Sequence, residues 1–328
     1  MSNVPAPAGC GRWQIALPAV TMMGMWSRRN SGASSSVCDG FIAVAVLWIL
    51  GALSVLASIY AAYVINTASA FAAYDDHIRA DALVSAALEL TAYQQQAASA
   101  QSRPTHGSFN FRLGQANIAV DFRSEAARID LNTAPKELLF GLFITLGARP
   151  DDADSYASRV IGWRTPQSTG QDAEASAYRI ARVGYQPRGA KFPHCNELTL
   201  VHGLPSSLVD RALPFVTVYS GRSQINVLDA APEVIAALPG MTPDRLNEFL
   251  LQRQTSPENA KQLLLPEAQQ FATLEGSKAF RVAVRITFDN GHREKAEVVV
   301  LLFEDGDQPF AVLSWRDRQN ELAAEDRL

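Results

Sequence analysis

An uncharged run from Phe41 to Tyr74 constrains this chain more than any other feature, because it contains no Asp, Glu, Lys or Arg. Its apolar part, residues 41–65, is long enough to cross the roughly 30 Å hydrocarbon layer of a membrane as a helix. The apolar region of a signal peptide is shorter, at about 7 to 15 residues. The sequence therefore predicts one membrane-spanning helix. Its predicted anchoring side chains are Phe41, Trp48, Leu50, Leu53 and Leu56.

Charged residues on the two sides of this run predict its orientation. Arg28 and Arg29 precede it, whereas Asp75, Asp76, Arg79 and Asp81 follow it. Positively charged flanks stay on the cytoplasmic side of a membrane. The N-terminus is therefore predicted to lie in the cytoplasm, and the chain after the run is predicted to lie outside it.

The same helix is predicted to continue past the membrane as a stalk. Residues 41–101 contain no proline and a single glycine, Gly51. A continuous helix of this length would be on the order of 90 Å long. The segment SRPTHGS at 102–108 predicts its end. An apolar stripe at helical spacing predicts the face that packs on a folded head. It consists of Ile78, Ala82, Ala86, Leu90 and Tyr93.

Alternating apolar and polar residues at both ends of the remaining chain predict antiparallel strands. Residues 109–131 alternate and are interrupted by Gly114. Residues 280–303 carry an Asn-Gly turn at 290–291 between two alternating runs, which is typical of a hairpin. Residues 309–316 predict a last strand.

The middle of the chain is predicted to be helical instead. Apolar residues recur at helical spacing in 135–147, 153–164 and 206–213. Strands, then helices, then strands indicate an α+β fold with an inserted all-helical domain.

Two similar segments, DLNTAPKELL at 130–139 and NVLDAAPEVI at 226–235, each predict a strand end followed by a helix start. Thr133 and Asp229 are predicted to cap these helices by accepting hydrogen bonds from free N–H groups. The segments also resemble helix-hairpin-helix modules that hold DNA phosphates, but Thr242 replaces the second glycine of such a turn. A net charge of −4 without long runs of like charge argues against nucleic acid as a partner. A membrane-anchored DNA-binding protein stays an alternative, and it would need a basic face.

Signatures of catalysis are absent from the sequence. It has no GxSxG, HExxH, P-loop or Rossmann glycine pattern, and its five histidines lack metal-ligand spacing. We therefore expect no enzymatic activity. Cys10 and Cys38 precede the junction between Gly40 and Phe41, so a chain cut there would keep Cys195 alone and form no intrachain disulfide.

That junction resembles a prepilin cleavage site. A basic leader of small residues ends in Gly40, Phe41 follows directly, and the uncharged helix comes next. This arrangement is similar to the class III leader of type IV pilins and type II secretion pseudopilins. The resemblance implies that a prepilin peptidase cuts after Gly40, that the new N-terminal Phe41 is methylated, and that the helix is kept. The leader is long for this pattern, and a start at Met25 would give a more ordinary length.

Three further segments resemble landmarks of one pseudopilin family, the minor pseudopilin K of the type II secretion system, also called general secretion pathway protein K. They are DLNTAP at 130–135, FPHCNELTLVHGL at 192–204 and INVLDAAPEVIAALPG at 225–240. Most pilin-like subunits carry Glu at the fifth mature position, and K members characteristically lack it. Ala45 occupies that position here. The resemblance covers residues 41 to about 303.

The resemblance implies a subunit at the pseudopilus tip that starts assembly with the I and J minor pseudopilins. It also implies contacts with other pseudopilins and with prepilin peptidase, and a role in exporting folded proteins across the outer membrane. The protein is then expected in a bacterial inner membrane, with a single pass, a cytoplasmic N-terminus and a periplasmic C-terminal domain. A plain membrane-anchored binding domain and a type IV pilus-like minor pilin are the alternatives.

K members also carry an acidic stretch that implies bound calcium. The matching region here, residues 162–178, has Arg164 at a position where those members are acidic. It retains Asp172 and Glu174, and Glu197 lies farther along the chain. These three carboxylates are a degraded version of the hard-cation site that calcium requires. We expect no cofactor, and calcium at these residues stays an open alternative.

Together these features predict a leader, an anchor, a stalk, a pseudopilin domain in two parts, an insertion and a tail. The leader is predicted at 1–40, the anchor at 41–65 and the stalk at 66–103. The pseudopilin domain is predicted at 104–132 and 214–316, the insertion at 133–213 and the tail at 317–328.

Overall fold

The computed structural model describes residues 39–99, 103–166, 173–303 and 308–317. The chain divides into two compact units, residues 1–70 and residues 71–328. The N-terminal part of the first helix belongs to the first unit. Its C-terminal part and the folded head belong to the second.

Helix α1 runs from Asp39 to Ala97, which confirms the predicted continuous helix within the described residues. The predicted packing stripe is wrong, because Ile78 is 50% exposed and Tyr93 is 71% exposed. The face that packs on the head is rich in alanine, and alanine lets a helix approach a sheet more closely than isoleucine or tyrosine would. Its buried residues are Ala80, Leu83, Val84, Ala87, Leu88, Thr91, Ala92 and Gln95.

The head is built on a five-stranded antiparallel sheet in the order β1-β2-β7-β8-β9. Its strands are β1 (His106–Leu113), β2 (Ala116–Ser124), β7 (Ala279–Phe288), β8 (Arg293–Leu302) and β9 (Phe310–Asp317). Both predicted hairpins and the predicted last strand are thereby confirmed. Gly114 and Gly291 have φ angles of 59° and 86°, the left-handed conformation that these hairpin turns require.

One face of this sheet, its inner face, packs on α1. Alternate residues of the central strands point there, among them Ile118, Val282 and Val298, which are at most 1% exposed. They form one core with the buried face of α1. The opposite, outer face carries the polar residues of the same strands.

A mainly helical insertion separates β2 from β7 and contains its own core. Its regular elements are β3 (Ile129–Asp130), α2 (Lys136–Thr145), α3 (Pro150–Arg164), α4 (Ala173–Ile180), α5 (Ser206–Ala212), β4 (Val216–Thr217), β5 (Ile225–Asn226), α6 (Pro232–Ala236), α7 (Pro243–Thr255), α8 (Pro266–Gln269) and β6 (Ala272–Thr273). Short 3-10 turns lie at Glu125–Ala127, Cys195–Leu200, Leu213–Phe215 and Pro257–Asn259.

The insertion is larger than the predicted range of 133–213. Val234, Ile235 and Phe249 are buried in the same core as Leu138 and Phe143. Helices α6, α7 and α8 therefore belong to the insertion, although the sequence placed their residues in the pseudopilin domain. The segment at 226–235 predicted the start of α6 but not its place in the insertion, whereas α7 and α8, which each begin at a proline, were not predicted.

The repeated sequence at 130–139 and 226–235 marks a duplication of the insertion. Strands β3 and β4 pair in parallel at the ends of the first half, and β5 and β6 pair in parallel at the ends of the second. In the first half the Asp130 carboxylate accepts a hydrogen bond from the N–H of Asn132 at 2.7 Å. The equivalent Asn226 side chain accepts one from the N–H of Leu228 at 2.9 Å. The turn after β3 and the turn after β5 are therefore stabilised by the same kind of hydrogen bond.

An arginine closes the same loop in each half. Arg164, at the end of α3, donates to the carbonyls of Leu131 and Ala134. Arg253, near the end of α7, donates to the two equivalent carbonyls of the second half at 3.2 and 2.8 Å. Carbonyls that no other main-chain group reaches are thus satisfied by a guanidinium.

The predicted helix caps at Thr133 and Asp229 are wrong. Helices α2 and α6 begin after Pro135 and Ala231, and neither start has a side-chain cap. Thr133 instead donates to the carbonyl of Arg222 at 2.6 Å. Asp229 lies 2.6 Å from Nδ1 of His106 and accepts a hydrogen bond from Asn226. Because the proline-containing turn delays the helix start, these side chains reach across to other loops.

Candidate functional site

The predicted processing site lies in the first turn of α1. Gly40 and Phe41 follow Asp39, where the helix begins. The leader up to residue 38, including Met25 and the basic pair Arg28 and Arg29, lies outside the described residues. Cleavage between Gly40 and Phe41 stays a prediction.

The predicted anchoring side chains beyond Phe41 have no protein core around them. Trp48 is 76% exposed, and Leu50, Leu53 and Leu56 are 54%, 55% and 63% exposed. Among the described residues, α1 is the helix long and apolar enough to cross a membrane. A continuous apolar surface of this size is costly in water and stable in lipid. The helix therefore fits a transmembrane anchor.

Two of the three carboxylates proposed for calcium, Glu174 and Glu197, are directed at arginines. Glu174 lies 3.7 Å from Arg159, and burial raises the pKa of its carboxyl although the guanidinium opposes that rise. Glu197 accepts a hydrogen bond from Arg188 at 3.0 Å. Asp172 lies outside the described residues, and among those described no three acidic, histidine or cysteine side chains are grouped as ligands for a metal. The guanidinium groups beside Glu174 and Glu197 would repel a calcium ion from these two carboxylates.

A buried charge network joins the insertion to the sheet. Arg281 on β7 donates to both oxygens of Glu125, at 2.7 and 3.2 Å, and also to Glu297 on β8. Thr217 on β4 donates to Glu125, whose side chain is 1% exposed. Burial alone would lower the pKa of Arg281, but the two carboxylates outweigh it and raise that pKa. The guanidinium therefore stays charged and fixes the insertion on the end of the sheet.

No sequence pattern predicted this network. Its members are far apart in the chain and meet only through the register of β7 and β8 and the turn after β2. The available signal was the alternation of Arg281 and Arg285 with apolar residues in β7, which marks a polar outer face.

The outer face of the sheet is rich in cations. Residues paired across the strands share a face, so the register arranges them in rows. Each row crosses the sheet in strand order, beginning at β1. The first row is Arg112, Asn117, Thr287 and Arg293, and the second is Asn110, Ala119, Arg285 and Lys295. The third row is Ser108, Asp121, Ala283, Glu297 and Arg316, and the fourth is His106, Arg123, Arg281, Val299 and Ser314. Two depressions of about 560 and 360 Å³ lie along these rows.

The helix-hairpin-helix resemblance is visible in the turns of the insertion. Gly147 between α2 and α3 and Gly240 between α6 and α7 both adopt positive φ angles, of 89° and 72°. The helix that follows begins with Asp151 and Asp152 in the first case and with Asp244 in the second. Carboxylates at a helix start occupy the positive end of its dipole and repel a phosphate. These turns are therefore unsuited to hold DNA.

The first half of the insertion is similar to a known protein family. Residues 116–221 match the family model of protein K of the type II secretion system. This part of the chain is similar to protein K of the type II secretion system. The protein K region thus covers β2 and the whole first half of the insertion. A comparison with curated protein sequences finds no match.

A solved structure has the same fold. It is a chain of the crystal structure of the GspK-GspI-GspJ complex from the enterotoxigenic Escherichia coli type 2 secretion system. The two chains share 18% sequence identity with a TM-score of 0.52, and the match covers 76% of this chain and 99% of that chain. The similarity extends beyond the protein K region to most of the folded chain. Recognition of the chain as a K-type minor pseudopilin is confirmed, and so is its α+β fold class.

Proposed function

We propose that this protein is a minor pseudopilin located at the tip of the type II secretion pseudopilus. One observation carries the proposal: a helix of membrane-spanning length runs on into a head whose sheet bears the protein K insertion. We expect a structural subunit without enzymatic activity, because the buried charges of the head are used in ion pairs that hold its parts together.

Two other pseudopilins are the proposed partners. The similar solved chain comes from a complex with GspI and GspJ. We propose that this protein assembles with its own I and J counterparts, starts pseudopilus assembly with them and supports export of folded proteins across the outer membrane. Other pseudopilins below it and prepilin peptidase complete the set of proposed partners.

Ala45 supports a position at the tip. A Glu at this position in a pilin-like subunit can neutralise the N-terminal amine of a neighbour inside apolar packing, where an unpaired charge is costly. A subunit without a neighbour above it has no such amine to neutralise. Ala45 is then sufficient, and the insertion would obstruct a further subunit.

The orientation in the membrane follows from the flanking charges. Arg28 and Arg29 are proposed to stay in the cytoplasm, and the head is proposed to lie in the periplasm of a bacterial inner membrane. We also propose that the head needs no calcium, since Arg159 and Arg188 supply positive charge to Glu174 and Glu197.

The mature N-terminus tests the proposal. The full chain is expressed with and without prepilin peptidase, recovered from the membrane and sequenced by mass spectrometry. We expect an N-methylated Phe41 only when the peptidase is present. A Gly40→Val variant should stay unprocessed, and a Gly51→Ala variant should be cut normally. An intact N-terminus in both samples would overturn pilin-type processing and favour a plain anchored domain.

Tip placement needs its own measurement. Labelled native protein should appear at filament ends, whereas Ala45→Glu copies should spread along the filament because the new carboxylate allows a neighbour above. Native protein found along the shaft would contradict the tip position.

A further inference from the structure

The outer face of the sheet has a charge opposite to that of the chain as a whole. Seven cationic side chains stand on it, from Arg112 on β1 to Arg316 on β9, against two carboxylates on the strands, Asp121 and Glu297. The full chain has a net charge of −4. The cations are therefore concentrated on one face instead of being distributed evenly.

Ion pairs within the sheet neutralise only some of these cations. Arg281 pairs with Glu125 and Glu297, Arg285 pairs with Asp121 at 2.5 Å, and Arg112 pairs with Asp289 at 2.7 Å. Arg123 and Arg293 are exposed and form no ion pair with another described residue. Positive charge thus stays available on both sides of the paired residues.

The insertion covers only one end of this face. Val299 on the outer face is 2% exposed, and the neighbouring Ser314 lies beside Tyr219 of the insertion. Farther along the strands, Asn117, Arg285, Thr287 and Arg293 are exposed. These four residues line the depression of about 560 Å³, which is therefore open to a partner.

We propose that the outer face of the sheet is a docking surface for an acidic segment of another protein. Its exposed guanidinium groups can form paired hydrogen bonds with carboxylates. The amides of Asn110 and Asn117 and the hydroxyl of Thr287 provide neutral hydrogen-bonding groups in the same depression. The surface therefore fits a protein chain, in which carboxylates alternate with neutral groups.

The interspersed carboxylates favour a protein over a nucleic acid. Asp121 lies between Arg123 and Arg285 on the face, and Glu297 lies beside Arg316. A DNA backbone presents a phosphate at every step and would meet these carboxylates at close range. An acidic protein segment can place its own cationic or neutral residues there.

Binding of a fluorescein-labelled peptide of alternating glutamate and serine residues tests this surface. The full chain in neutral nanodiscs is titrated and followed by fluorescence anisotropy at several salt concentrations. A variant with Arg123→Gln, Arg293→Gln and Arg316→Gln should bind about tenfold more weakly, if each exposed charge contributes a modest share. The matched control changes three exposed arginines of the insertion, Arg149→Gln, Arg211→Gln and Arg245→Gln, and should bind as the native protein does.

The outcomes separate the possible ligands. Loss of peptide binding in the first variant alone, with affinity that falls as salt rises, would support the docking surface. Equal binding by the two variants would overturn it. In a third outcome, a short DNA duplex or phosphatidylglycerol vesicles displace the peptide at a lower concentration than unlabelled peptide does. That result would show that the outer face binds nucleic acid or lipid and would overturn the proposal of an acidic protein partner. The inference goes beyond the proposed function, because an unprocessed N-terminus would leave this measurement unaffected.

Discussion

Gly141 of α2 packs directly against the main-chain carbonyl of Ala237 at the end of α6. The two residues occupy equivalent positions in the two halves of the insertion, counted from Asp130 and Asn226. The two halves of the insertion therefore contact each other through equivalent positions. A Cβ atom at Gly141 would overlap the carbonyl oxygen of Ala237.

Gly141→Ala should therefore destabilise the protein. In an exposed helix the exchange gains about 1 kcal/mol. Here the clash with backbone should reverse the sign and cost about 1–3 kcal/mol, as in other overpacked cores. Urea unfolding measures the change. Gly184→Ala is the matched control, since nothing lies within 4 Å of a Cβ there. Equal unfolding free energies for the two variants would show that α2 and α6 are not in close contact.

Arg253→Lys should lose stability although the charge is kept. The guanidinium donates to the carbonyls of Val227 and Ala230, and a lysine ammonium cannot reproduce both bonds. A buried carbonyl left unsatisfied costs about 1–3 kcal/mol. Chemical unfolding of this variant is compared with that of Arg211→Lys, which changes an exposed arginine of α5. A difference within error between them would mean that solvent satisfies these carbonyls.

Asp130→Asn should change how stability depends on pH. Burial raises the pKa of Asp130, although hydrogen bonds from the N–H groups of Asn132 and Gly221 oppose the rise. Because the pKa of Asp130 is higher in the folded chain, its contribution to the free energy of unfolding is complete below the unfolded aspartate pKa of about 3.9. That contribution is lost as pH rises through the pKa of the folded state. The stability of the native protein relative to the variant should therefore fall as pH rises from the acid range toward neutrality. A pH-independent difference in urea unfolding would contradict this reasoning.

Calcium should not change the melting temperature of the protein. Scanning calorimetry in chelator and in millimolar calcium should give the same transition, because Glu174 and Glu197 face arginines. Arg159→Ala should lower the melting temperature by removing the positive partner of the partly buried Glu174 carboxylate. Asp210→Asn, at an exposed carboxylate of α5, serves as the control. A rise in melting temperature on adding calcium that Glu174→Gln abolishes would restore the calcium site.

Cys195 should resist alkylation in the folded protein. It is 8% exposed, and burial raises the pKa of its thiol to about 11, so little thiolate is present near pH 8. Mass spectrometry of the Cys195 peptide after iodoacetamide treatment should show modification only in denaturant. A Ser207→Cys variant places an exposed thiol on α5 and should react rapidly. Equal reaction of both thiols would indicate that the insertion opens readily.

The sequence by itself determined the local elements of this protein. The uncharged run fixed the membrane helix, because length and hydropathy decide whether a segment can cross lipid. The Asn290-Gly291 turn and the alternation around it fixed the β7–β8 hairpin, because both signals act between residues close in the chain. The protein K resemblance likewise depended on short segments such as Asp130 to Pro135.

Only the tertiary structure decided which side of α1 is buried and where Thr133 and Asp229 make their bonds. It also decided the pairing of Arg281 with Glu125, the contact of Gly141 with Ala237 and the basic outer face of the sheet. These relationships join residues that are dozens to more than a hundred positions apart, and strand register and helix packing set them. A sequence pattern reports the period of an element, whereas the identity of its neighbours is fixed only when all elements pack together.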